Sequence, residues 1–156
     1  MIRGFEQPHR VEPLGNGHLQ AMPAAAAGLV AGVILLILPH ASPWAGLTSF
    51  NPAIVGREPP APLDLPVFGV ILLHLAVSMV YGFIISLYVI HFRELRAVFM
   101  GGVAGVVLYL LNFAIVSFFF PALRGNEGSV LITHAVFGLI AAGVYRGLLR
   151  RNVSAE

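Results

Sequence analysis

Four long uncharged apolar stretches, separated by polar connections, set the pattern of this chain. They are Pro23 to Leu38, Val67 to Ile90, Ala97 to Phe120 and Ser129 to Tyr145. About 20 apolar residues are needed for a helix to cross a hydrocarbon core of about 30 Å. The second and third stretches meet this alone, and the first and fourth meet it with their flanks, giving spans of about 23–41, 67–90, 97–120 and 129–147. Lipid offers the backbone no hydrogen-bond partners, so such stretches must be helices. The apolar/polar alternation of a membrane β-barrel is absent. The pattern therefore predicts an all-α membrane protein with four transmembrane helices spread over residues 23–149. A flexible segment, 1–22, precedes them and a short tail, 150–156, follows.

The spans also resemble one another. Shifted by 73 residues, Gly28–Ala41 lies on Gly101–Ala114 with eight of fourteen positions identical, and Ala24, Gly28 and Gly32 fall on Ala97, Gly101 and Gly105. Shifted by 60, the second span lies on the fourth: Val70 on Val130, His74 on His134 and Ser78 on Gly138. The expected architecture is two tandem hairpins crossing the membrane in the same sense, a parallel repeat of a kind known in membrane proteins. By the same register the first helix continues past Pro39 toward Leu47. Small residues recur four apart in every span: Gly28 and Gly32, Ser78 and Gly82, Gly101 and Gly105, Gly138 and Ala142. Such stripes let helix backbones approach closely in lipid. They leave open whether the partners belong to one chain or to several.

Charge then orients the bundle. All nine cations are Arg. Arg3, Arg10, Arg93, Arg96, Arg146, Arg150 and Arg151 fall on one side, and Arg57 and Arg124 on the other. The positive-inside rule places both termini and the 91–96 connection in the cytoplasm, which makes the expected location a bacterial inner membrane. A cleaved signal peptide is disfavoured, because about 20 polar residues with Glu6 and Glu12 make a poor n-region. The outer connection, 42–66, is rich in proline and carries Trp44. It reads as an ordered cover or a partner-binding segment. Hydrophobic residues make up 58% of the 156 and charged residues 10%, against about 25% charged in soluble domains. A soluble domain is thereby excluded. The absence of cysteine removes disulfides and thiol chemistry, and the scattered cations make no nucleic-acid footprint.

No carboxylate lies within the spans, which takes weight from a proton- or sodium-coupled transporter. Instead His40, His74, Asn112 and His134 project to one tier in the outer half of the bundle. Ionisable groups in a membrane are functional candidates by default. Three readings of the tier stand. In the first, the histidines are neutral structural donors. In the second, His74 and His134 ligate haem b, neutral imidazole being a common axial ligand. In the third, the tier lies on a proton or substrate path, extended by Tyr81, Tyr88, Tyr109 and Tyr145. Tyr88, Phe92 and Tyr145 also fall where an inner aromatic belt is expected, and Phe118 to Phe120 where an outer anchor is. Hydrolase and phosphotransfer signatures are absent, so no enzymatic activity is expected, and haem b is the one candidate cofactor.

The stretch Thr133-His-Ala-Val-Phe-Gly-Leu-Ile-Ala-Ala-Gly-Val-Tyr145, echoed by His74-Leu-Ala-Val-Ser-Met-Val-Tyr-Gly82, resembles small four-helix bacterial inner-membrane proteins of the YagU-like type. The resemblance covers about half the chain and does not extend to the proline-rich connection. It implies a four-helix membrane protein and transfers no catalytic residues. The function expected from the sequence is non-enzymatic: a small subunit or permeation-type protein organised around the histidine tier. The alternatives are a haem b redox subunit and a purely structural accessory subunit. The expected partners are the lipid bilayer and a homo-oligomer or larger membrane complex.

Overall fold

A computed structural model describes residues 19–37, 67–119 and 127–153. Every element among them is an α-helix: α1 (Ala21–Ile37), α2 (Val67–Val89), α3 (Glu94–Phe119) and α4 (Glu127–Val153). Pro23 sits in the first turn of α1, where its missing N–H breaks no helical bond, and four alanines follow it. Glu94 opens α3, its charge favourable at a helix N-terminus. Residues 90–93 turn the chain between α2 and α3, closed by a Phe92 N–H donating to the Val89 carbonyl. So short a connection makes the two helices antiparallel neighbours.

Three helices are long and apolar enough to cross a membrane, over Ile71–Val89, Glu94–Phe119 and Gly128–Arg150. The seventeen described residues of α1 rise about 25 Å, somewhat less than a hydrocarbon core. The expected continuation of the first helix past Pro39, the 42–66 connection and residue His40 lie outside the described residues. At the other end α4 continues to Val153, past the expected span of 129–147, so Arg150 is a helical residue.

The helices pack as two hairpins, α1 with α2 and α3 with α4. α1 also rests on α4, α3 on α2, and α2 meets α4 across the diagonal. The seams are made by the small residues. A Cβ on Gly28 would strike the Ser78 carbonyl, and it would lie 2.9 Å from Met79 Cα and 3.0 Å from Gly82 Cα. A Cβ on Gly101 would strike the Ala142 methyl and meet the Gly138 carbonyl oxygen at 2.5 Å. Gly32 lies over Ser78, and Gly105 over His134 and Ala135. The stripes are thus used within this one chain, which answers the question the sequence leaves open.

Burial follows the same registers. Ala24 and Ala97, Gly28 and Gly101, Gly32 and Gly105, and Leu35 and Leu108 are buried in α1 and α3. In α2 and α4 the buried pairs are Ser78 and Gly138, Gly82 and Ala142, Ile85 and Tyr145, Ser86 and Arg146, and Val89 and Leu149. The outward surface is the reverse of a soluble bundle. Leu72, Val80, Leu87, Val107, Leu110 and Phe118 all face out, as expected where the surrounding medium is hydrocarbon and not water.

Candidate functional site

Asn112 occupies the nineteenth position of α3 and His134 the eighth of α4, so both lie in the half of the bundle away from the α2–α3 turn. Tyr81 stands farther along α2, but side chains of helical residues lean toward the helix N-terminus, and its phenol reaches back to them. The three groups are joined in one chain. Tyr81 Oη donates to Asn112 Oδ1 at 2.5 Å. Asn112 Nδ2 meets His134 Nε2 at 2.9 Å. His134 Nδ1 meets the Val130 carbonyl at 2.9 Å.

The directions follow from chemistry. A carbonyl only accepts, so His134 Nδ1 carries its hydrogen. With the amide nitrogen facing Nε2, that ring nitrogen accepts, and the imidazole is neutral. Each group is thereby satisfied, with donors running one way from Tyr81 through Asn112 and His134 to Val130. Three helices are tied by two side chain–side chain bonds. Around His134 the rings of Tyr109 (centroids 5.8 Å apart) and Tyr81 (6.3 Å) form an aromatic wall, and Phe137 packs edge-on against Tyr81 at 6.3 Å.

His74 behaves differently. Its Nε2 lies 3.0 Å from the Gly32 carbonyl on α1 and donates to it, while Nδ1 is buried without a partner. It has no hydrogen bond to Asn112 or His134. Of the expected tier, then, Asn112 and His134 come together, His74 serves the α1–α2 seam instead, and His40 lies outside the described residues. By the 60- and 73-residue shifts of the sequence, Tyr81 and Asn112 fall on Ala141 and Pro39, whose side chains carry no hydrogen-bonding group.

Tyr81 is the member that sequence reasoning undervalued, as one of four tyrosines able to extend a polar route. Its signal was a phenol deep in an otherwise apolar span, where an unpaired hydroxyl would be costly. Tyr145 departs from the expected aromatic belt. It is fully buried, and its hydroxyl oxygen accepts from the Gln20 backbone N–H at 3.5 Å. Tyr88 does face out, with Phe92 edge-on beside it and Arg96 over the Phe92 ring. Phe118 and Phe119 are exposed at the opposite end, as an anchor requires.

Haem or metal ligation needs an imidazole lone pair free to bind. Both His134 nitrogens are engaged, and the one lone pair left on His74 is buried. Among the described residues no group of three His, Asp or Glu side chains converges on a point. Comparison with family models, curated proteins and solved structures gives no match for this chain.

Proposed function

We propose that this chain is a non-enzymatic, four-span protein of a bacterial inner membrane, working as a small membrane-embedded subunit or permeation-type protein centred on Tyr81, Asn112 and His134. The observation that carries the reading is the hydrogen-bonded chain joining α2, α3 and α4 inside an apolar exterior. Two further readings accompany it. The matched seams, Gly28 on Ser78 and Gly82 against Gly101 on Gly138 and Ala142, support a tandem repeat of parallel hairpins. The arginine bias supports cytoplasmic termini. Kinship with YagU-like proteins fits the same picture.

Between subunit and permeation, the geometry favours the subunit. An amide holds its hydrogens and does not relay protons as hydroxyls and imidazoles do. Placed between Tyr81 and His134, Asn112 fixes the two rather than connecting them for transfer. The haem alternative draws no support from imidazoles engaged as these are.

The test is purification in mild detergent, with native mass, absorption spectrum and co-purifying proteins read together, followed by reconstitution with a pH-sensitive dye. The subunit reading expects a colourless protein recovered in a defined larger assembly and vesicles no leakier than empty ones. A proton flux abolished by Asn112→Leu would transfer the proposal to permeation, and a Soret band would overturn both. The absence of native cysteine lets single cysteines report orientation. Asn126→Cys is expected to react with an impermeant maleimide from outside intact spheroplasts, and His91→Cys only after lysis.

A further inference from the structure

The end of the bundle carrying the α2–α3 turn holds a charge with no counterion among the described residues. Arg146 is 9% exposed, and its Nε is buried without a hydrogen-bond partner. An arginine that merely snorkels buries its stem and keeps its whole head in water, whereas here the Nε of the head is buried as well. A guanidinium keeps its charge in a protein, so an anion beside it offsets the cost of drawing it in.

The described residues do not supply one. Their carboxylates are Glu94 and Glu127. Glu94 is bonded to Arg150 through both its oxygens. Glu127 starts α4 nineteen residues before Arg146, about 28 Å away along the helix. Arg93 and Arg96 add two exposed cations at the same end. A second buried polar atom without a partner, Ser86 Oγ, occupies the position of α2 that corresponds to Arg146 in α4. A donor hydroxyl and a guanidinium Nε, both without a partner and at corresponding positions of α2 and α4, are what an oxyanion requires.

We propose that Arg146 anchors a binding site for a phosphate-bearing anion at the turn end of the bundle, with Ser86 as a second donor. The site rests on the membrane reading for one source of that anion, the headgroups of acidic phospholipid in the cytoplasmic leaflet; the other source is soluble phosphate. Basic pockets between helices on the cytoplasmic side suit lipid headgroups. One turn farther along α4, the Glu94–Arg150 pair holds α3 and α4 together below the site.

The experiment measures the SDS-unfolding midpoint of the purified full chain in neutral detergent supplemented with phosphatidylglycerol, phosphatidylcholine or inorganic phosphate, together with the phospholipid that co-purifies. Wild-type protein is expected to gain stability from phosphatidylglycerol and not from phosphatidylcholine. Arg146→Gln should weaken that response roughly tenfold or more in lipid concentration, the scale of losing a charge-assisted hydrogen bond, while Arg150→Gln keeps most of it. A response to inorganic phosphate alone, lost in Arg146→Gln, keeps the site and assigns it to soluble anion. Equal responses to the two lipids with no response to phosphate overturn the proposal on wild-type protein alone, even if Arg146→Gln does not fold. So does a Glu6→Gln/Glu12→Gln variant whose midpoint drops while lipid has no effect, because the counterion is then the chain's own carboxylate. The measurement is made in detergent, so a wrong orientation would appear in cysteine labelling and not here.

Discussion

Replacing Gly138 by alanine tests the seam on which the polar chain depends. The new methyl would strike the Gly101 carbonyl oxygen and lie 2.8 Å from its carbon and 3.1 Å from the Gly105 nitrogen. All three are backbone atoms and cannot rotate aside. Ordinary contact lies at about 3.5–4.0 Å, so α3 and α4 must part by roughly 1 Å. A gap of that size forfeits between a quarter and a half of each contact it opens. Over about 20 atom pairs worth about 0.15 kcal/mol each, the loss is about 0.75–1.5 kcal/mol, at the lower end of what overpacking costs. The same substitution at Gly147 is the control, since a Cβ there meets nothing within 4 Å. Both variants share the gain in helix propensity of alanine over glycine, so their difference isolates the seam. In SDS-driven unfolding followed by circular dichroism, Gly138→Ala should fall below Gly147→Ala by about 0.75–1.5 kcal/mol, roughly a three- to tenfold change in the folding equilibrium. Equal midpoints would refute the close backbone approach, and with it the placing of Asn112 against His134.

Asn112→Leu removes two hydrogen bonds and strands Tyr81 Oη and His134 Nε2, which should cost about 1–3 kcal/mol by the same unfolding assay; a neutral result would detach the chain from stability. In a double-mutant cycle, Tyr81→Phe should cost about 0.6–1.7 kcal/mol in wild type and almost nothing in Asn112→Leu, whereas additive losses would show that the two do not interact. His74→Leu should weaken the α1–α2 seam by about the value of one bond and leave the Tyr81–Asn112 coupling intact; loss of that coupling would join His74 to the chain after all. Glu94→Gln should change the midpoint by less than about 1 kcal/mol, because the pair with Arg150 is largely solvated, and a larger fall would mean that the pair is shielded.

Much of the fold is legible because the solvent is severe. Lipid forbids open backbone, so apolar runs free of charge predict helices, and the third and second spans match α3 and α2 to within a few residues. The seams are legible for a related reason: glycines at four-residue spacing have few uses in lipid apart from close approach. The site is less so. His74 and His134 are indistinguishable by register and flanked by similar residues, yet one turns to the Gly32 carbonyl and the other to Asn112. What places His134 is a neighbour on another helix, Asn112, and no period within a single helix encodes that. Arg146 is read from sequence as a topology signal. Its burial becomes visible only when it is placed on Ser86, a position facing inward in α2.

The Tyr81–Asn112–His134 chain has a bearing on how the bundle comes apart. It clasps α2, α3 and α4 through side chains, whereas α1 takes no part in it and is held by its glycine seam, the His74–Gly32 bond and its rest on α4. Loss of order under strain is therefore expected to begin at α1, with the other three helices parting later as one unit.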